Sequence, residues 1–212
     1  MNRSKYEWLG PLTGIAFIVV LIISFAIHGE PKSADDPVNE IVDFYVDNKD
    51  SVEISAILSA VAGVFLIFFG GYLRKVLRAA GGEGEYLSLI SFVGLAIVAV
   101  GAAIDATISF GLAEAADDID PIAVQALQAL WDNDFIVFQL GVLAFVWATG
   151  ISIIRSGALP SWLGWVLILF GVVGVTPIGF AAAAGSALWI LVVSIMLTLR
   201  ARSGPAAPAP AA

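Results

Sequence analysis

The 212-residue chain contains no cysteine and only one histidine, His28. The lack of cysteine excludes disulfides, thiolate metal sites and a cysteine nucleophile. A single histidine is too few for a multi-histidine metal centre within one chain. The sequence also lacks a nucleotide-binding loop and a recognisable catalytic motif. We therefore expect no metal, no other cofactor and no catalytic residues.

Charged residues are scarce as well. They make up 13% of the chain, whereas apolar residues make up 59%. In soluble domains roughly 25% of the residues are charged and roughly 45–50% are apolar. A helix needs about 20 apolar residues to cross a bilayer. Six stretches approach this length: residues 9–27, 52–73, 86–112, 135–154, 162–178 and 183–199. The sequence predicts an all-α, polytopic membrane protein whose six transmembrane helices form one domain, residues 1–202.

Three of these stretches, the first and the last two, have an alternative interpretation. Residues 9–27 resemble a signal peptide, but their apolar run exceeds the 7–15 residues that are usual there, so we expect an uncleaved span. Residues 162–199 are too long for one crossing, and Thr176, Pro177 and Gly179 interrupt them. This break predicts two short spans, with a re-entrant hairpin as the alternative.

The basic residues are distributed unevenly between alternate loops. Eight lysines and arginines flank the spans on one side and only Lys32 and Lys49 lie on the other. The positive-inside rule then predicts a cell-membrane protein with both termini in the cytoplasm. The outer loops are acidic, which gives no basis for binding nucleic acid. The inner cluster Arg74, Lys75 and Arg78 is smaller than the four to eight basic residues of typical anionic-lipid sites, and we interpret it as a topology signal.

The two outer loops, residues 36–50 and 120–134, resemble each other. Each begins with Asp-Pro, which suits a helix N-terminus, and each ends near an asparagine beside an acid. Apolar residues recur at helical spacing in both: Val38, Ile41, Val42 and Tyr45, and Val124, Leu127, Leu130 and Trp131. We expect two short amphipathic helices whose apolar faces pack on the span ends, and repeat units 9–78 and 86–157 followed by a closing hairpin, 162–199. Two unrelated amphipathic loops are the alternative, and we expect the tail, 203–212, to be disordered.

One further segment, Leu-Pro-Ser-Trp-Leu-Gly-Trp at residues 159–165, leads into the fifth span. It resembles the corresponding span entry in a family of small bacterial multi-helix membrane proteins of unknown function. The resemblance implies a similar helical layout but no activity and no catalytic residues. Its tryptophans also fit a general role as anchors at the membrane interface.

Asp105 is the strongest functional candidate because it lies inside the third span. A carboxylate at such a depth costs about 2.5–3.5 kcal/mol and usually faces the bundle or a cavity. We expect it to lie within reach of Glu53, Gln139 or a hydroxyl group. A protonated, purely structural aspartate is the alternative.

Three more polar residues occur at a similar level: His28, Glu53 and Gln139. Together with Asp105 they predict a polar cavity in the outer half of the bundle. We expect a non-enzymatic protein that binds a small molecule, a lipid or a partner subunit, including a second copy of itself. A small proton- or cation-coupled transporter using Asp105 and Glu53, and an intramembrane enzyme, are the alternatives.

Overall fold

The computed structural model describes residues 8–80 and 84–202. Every regular element in these two ranges is a helix. In chain order the helices are α1 (Leu9–His28), α2 (Val38–Asp47), α3 (Lys49–Ala79), α4 (Gly84–Ala115), α5 (Pro121–Asp132), α6 (Phe135–Ser156), α7 (Ser161–Gly174) and α8 (Phe180–Arg202). The predicted all-α fold is confirmed. The predicted tail, 203–212, lies outside the described residues.

The helices make this a multi-pass membrane protein. Helices α1, α3, α4, α6 and α8 are long and apolar enough to span a bilayer, and α7 is a shorter apolar helix of 14 residues. Near the two ends of the described chain, the Arg202 guanidinium lies 4.9 Å from the centre of the Trp8 ring. Both ends therefore lie on the same side, as an even number of crossings requires.

The six apolar helices form a closed ring in chain order. Each packs on the next along the chain, and α8 returns to α1; additional contacts of α6 with α3 and α8 cross the ring. Large buried side chains, including Phe69, Phe145 and Trp189, join all six helices in one apolar core. The ring interior is therefore tightly packed.

The short helices α2 and α5 lie against each other and form a cap at one end of the ring. Their buried Ile41, Tyr45 and Val124 pack on Val52 of α3 and Leu112 of α4 in a second apolar cluster. Both predicted amphipathic helices are thus confirmed. We call this the cap end, and the end that carries Trp8 and Arg202 the basic end.

The apolar face predicted for α5 is partly wrong. Leu127 and Leu130 are exposed, whereas Gln128 is fully buried. The Gln128 amide satisfies its hydrogen bonds inside the cap, accepting from Tyr45 and donating to Asp132. This pairing allows a polar side chain to take the inner position, and the two leucines consequently turn outward.

The predicted fifth span, 162–178, is also too long. Helix α7 ends at Gly174, and α8 begins at Phe180, three residues before the predicted start. The pyrrolidine ring of Pro177 disfavours helical geometry in the residue before it. At about 1.5 Å per residue, α7 covers only about 21 Å, so the turn that follows lies within the depth of the hydrocarbon.

The ends of the two cap helices show which features of the predicted repeat are shared. The Asn48 amide donates to the Phe44 carbonyl oxygen and the Asn133 amide to the Ala129 carbonyl oxygen, each at 2.8 Å and four residues back. The helix starts differ. Asp120 accepts from the Ile122 N–H and caps α5, whereas the Asp36 carboxylate accepts from Ser33 and does not cap α2.

Candidate binding site beneath the cap

A hydrogen-bond network fastens the cap into one unit. The Tyr45 hydroxyl of α2 donates to Gln128 Oε1 of α5 at 2.6 Å, and Gln128 Nε2 donates to Asp132 Oδ1 at 2.8 Å. The other carboxylate oxygen of Asp132 accepts from the Ala34 N–H at 2.8 Å. The α1–α2 loop, α2 and α5 are thus linked by hydrogen bonds, and the cap is a defined cover over the ends of α3 and α4.

Tyr45 is the buried centre of this network, with no exposed surface. Burial raises the pKa of its phenol, and the negative charges of Asp132 and Asp105 raise that pKa further. Tyr45 consequently remains a proton donor at any physiological pH.

Asp105 itself is half-buried on α4, in the space beneath the cap. Its carboxylate interacts with the Trp131 side chain of α5 and with the charge of Asp134, which immediately precedes α6. The interaction with the Trp131 side chain means that Asp105 faces another helix of the protein. This orientation agrees with the energetic expectation for a carboxylate at this depth.

His28, the last residue of α1, joins the same cluster through Trp131. The two rings are stacked, with centroids 5.9 Å apart and an interplanar angle of 3°. Phe44 of α2 packs against the other side of the cluster, 6.2 Å from the His28 ring. Trp131 therefore lies between the imidazole of His28 and the carboxylate of Asp105.

Three polar atoms of this cluster are buried without a hydrogen bond of ordinary geometry to any described residue: His28 Nε2, Trp131 Nε1 and Asp134 Oδ2. A buried polar atom left unpaired typically costs about 1–3 kcal/mol. Most native proteins avoid this cost, and such groups call for an explanation. Here they surround a half-buried carboxylate, which is the arrangement expected of a binding site.

Glu53 lies near the cap end but belongs to a different cluster. Lys49 Nζ lies 3.9 Å from Glu53 Oε1 and 3.2 Å from Glu114 Oε1, and so links the two carboxylates. No described contact joins Glu53 to Asp105. The predicted partnership of these two acids is therefore not found among the described contacts.

Gln139 is likewise placed elsewhere, on the far side of α6. Its Nε2 donates to the Gly174 carbonyl oxygen at the end of α7. Non-helical backbone at membrane depth needs polar partners from the protein, and Gln139 supplies one to the α7–α8 turn. Of the four predicted site residues, the structure therefore brings together only Asp105 and His28.

The residues between them were not predicted as site residues. Trp131 appears in the sequence as part of an apolar stripe, and Asp134 as one of several loop acids. The only available signal was their position at the junction of α5 and α6, where Asn133 ends the first helix. Among residues 8–80 and 84–202, no group of three His, Asp or Glu side chains is placed to hold a metal.

Comparison of the chain with protein-family models, curated proteins and solved structures found no significant match. The resemblance noted at residues 159–165 therefore stays a prediction. Function has to be argued from the geometry of the site.

Proposed function

We propose that this membrane protein binds a small cationic molecule beneath the cap, between Asp105, Asp134 and Trp131. The observation that carries the proposal is the half-buried Asp105 carboxylate beside Trp131, with His28 Nε2 and Asp134 Oδ2 buried nearby and without a hydrogen bond to any described residue. The site draws its side chains from α1, α2, α4 and α5 and from Asp134 at the start of α6.

The charge of the site favours a cation over a neutral or anionic ligand. Asp105 and Asp134 lie within electrostatic range of each other, and two neighbouring carboxylates disfavour each other's charged form. A bound cation relieves this repulsion. The nearby rings of Trp131, His28 and Phe44 add the aromatic faces that bind ammonium groups.

Binding explains the structure better than transport or catalysis. A transporter needs a polar path from one side to the other, but the ring interior below the site is filled by Phe69, Phe145 and Trp189. An enzyme needs a nucleophile beside a base, and we identify no such pair near Asp105. Transport and catalysis therefore each lack a supporting structural feature, whereas binding is supported by the carboxylate site beneath the cap.

We also propose that the cap lies outside the cell and the basic end in the cytoplasm. Arg74, Lys75, Arg78, Arg155 and Arg200 lie at the basic end, and the excess of lysine and arginine marks the cytoplasmic side. A ligand would then enter from outside. Reporter fusions within the α2 and α5 loops and after Arg202 test this orientation; an external signal from the C-terminal fusion would contradict it.

The test of binding uses tetramethylammonium as a probe in calorimetric titrations of the detergent-solubilised protein. We expect saturable binding to the wild type and at least a tenfold weaker affinity in Asp105→Asn, about 1.4 kcal/mol. Asp118→Asn is the matched control, because Asp118 is exposed and its substitution removes the same charge. Equal affinities of Asp105→Asn and Asp118→Asn, or no binding to the wild type, would contradict the proposal.

A further inference from the structure

The basic end carries a groove that the cap site does not involve. The groove has a volume of about 440 Å³ and is lined by the last turns of α3, namely Gly71, Arg74, Lys75, Arg78 and Ala79. Residues three, four and seven apart share one face of a helix, so Gly71, Arg74, Lys75 and Arg78 form one surface. We call it the α3 basic groove.

The groove lies at the depth of the lipid headgroups. The 20 residues between Glu53 and Arg74 contain no charged side chain. At 1.5 Å per residue they cover about 30 Å, the thickness of the hydrocarbon core. If Glu53 marks one boundary of that core, Arg74 marks the other. Arg74, Lys75 and Arg78 therefore lie in the interfacial layer at the opposite end from the cap.

Arg74 is the residue in the groove that lacks a partner. It is half-buried, and its Nε is fully enclosed without a hydrogen bond to any described residue. Arg78, by contrast, is paired with Glu85 at 2.9 Å. A guanidinium presents its N–H groups in a planar fork that matches two oxygens of a phosphate. Arg74 lines the groove and is only half-buried, so its guanidinium is placed to meet such a group there.

Gly71 leaves the space that a headgroup and glycerol backbone need. A Cβ added at Gly71 would meet nothing within 4 Å. Along the same face toward the membrane centre, Val61, Val64 and Phe68 are exposed by 40%, 52% and 64%. This strip continues directly from the groove and offers an apolar surface for one acyl chain.

We propose that the α3 basic groove binds one anionic phospholipid, with its phosphate on Arg74 and an acyl chain along Phe68 and Val64. Three basic residues are fewer than sequence motifs for anionic lipids contain. The glycine gap and the half-buried Arg74 in the groove lining supply what that count leaves out. Free phosphate would use the cations but not the apolar strip.

The test measures lipid retained by the full-length protein in native mass spectrometry, after reconstitution in mixed phosphatidylglycerol and phosphatidylcholine nanodiscs. We expect the wild type to retain one phosphatidylglycerol, and Arg74→Gln to retain about tenfold less, as loss of a charge-assisted bidentate contact implies. Arg200→Gln is the control, because Arg200 is exposed at the same end and its substitution removes the same charge.

A second variant, Gly71→Leu, keeps every charge but fills the gap, and we expect it to lose the lipid as well. Should Arg74→Gln fail to fold, Gly71→Leu tests the proposal in its place. Equal retention by Arg74→Gln, Gly71→Leu and Arg200→Gln would overturn the proposal. Displacement of the lipid by millimolar inorganic phosphate would also overturn it, since the site would then recognise a free anion.

Discussion

The first unit, α1–α2–α3, and the second, α4–α5–α6, have the same layout but join their long helices differently. Between α1 and α3, the Ser24 hydroxyl donates to the Ser55 carbonyl oxygen at 2.9 Å and lies 3.2 Å from the Ser59 hydroxyl. Between α4 and α6, the backbones themselves touch at Gly94 and Gly141. One arrangement of helices is therefore compatible with either hydroxyl bonding or glycine contact.

The units differ more in chemistry than in layout. Asp36 and Asp120 set an offset of 84 residues between the loops, which makes Leu21 the counterpart of Asp105. Leu21 packs against the apolar core. The carboxylate thus belongs to the second unit alone, while His28 of the first unit joins its cluster by stacking on Trp131. The candidate site arises at the junction of the units and is not itself repeated.

The largest expected effect tests the glycine contact of the second unit. A Cβ at Gly94 would lie 2.5 Å from the Phe145 backbone nitrogen and 2.8 Å from the Gly141 carbonyl oxygen. Because backbone atoms cannot rotate away, we expect Gly94→Ala to destabilise the fold by about 1–3 kcal/mol or more. Tryptophan-fluorescence melting in detergent measures the loss.

Gly63→Ala is the matched control for that substitution, since the new Cβ would lie 3.5 Å from Ala99, an ordinary contact. We expect its melting temperature to stay close to that of the wild type. Similar melting temperatures for both alanine variants would show that the α4–α6 contact is not as close as described here.

An intermediate effect tests the bond between the units. Tyr45→Phe removes the hydroxyl that pairs with Gln128 Oε1 and leaves this buried oxygen unsatisfied. We expect a loss of about 1–3 kcal/mol. A double-mutant cycle with Gln128→Leu, measured by the same melting assay, isolates the energy of the Tyr45–Gln128 hydrogen bond from that of the Gln128–Asp132 hydrogen bond. Additive effects of the two substitutions would contradict the pairing.

The smallest effect compares the two cap helices at their starts. Asp120 caps α5 through the Ile122 N–H, so Asp120→Ala should cost about 1 kcal/mol, the usual value of an N-cap. Asp36 provides no cap to α2, and Asp36→Ala should cost less. A greater loss from Asp36→Ala would mean that the two helix starts are more alike than the structure indicates.

The positions of the helices were largely predictable from the sequence, because long apolar runs and Asp-Pro starts act locally. Five long apolar helices and both cap helices occur near their predicted residues, and the predicted fifth span corresponds to the shorter helix α7. One error, the length of α7, follows from the local effect of Pro177, and the other arises where a tertiary contact overrides the local pattern. Gln128 is buried because Tyr45, 83 residues away, satisfies it, and no periodicity within α5 indicates such a partner.

The candidate site was predictable only in part, for the same reason. Asp105 could be identified from the sequence because an isolated carboxylate within an apolar run is energetically costly. Its neighbours depend on which helix ends meet beneath the cap. The depth of Glu53 and Gln139 along their spans suggested that both lie near Asp105. In the structure their side chains point elsewhere, Glu53 toward Lys49 and Gln139 toward the Gly174 carbonyl oxygen.

The contact between Arg202 and Trp8 has a consequence for the order in which the helices are connected. Since α8 packs on α1 and the two ends adjoin, the ring has no preferred first helix. A circular permutant that begins at α4, continues through α8 and a short linker into α1, and ends with α3 would preserve the packing of all eight helices. Such a chain would insert the second unit first and could be used to ask whether either unit must precede the other for the ring to close.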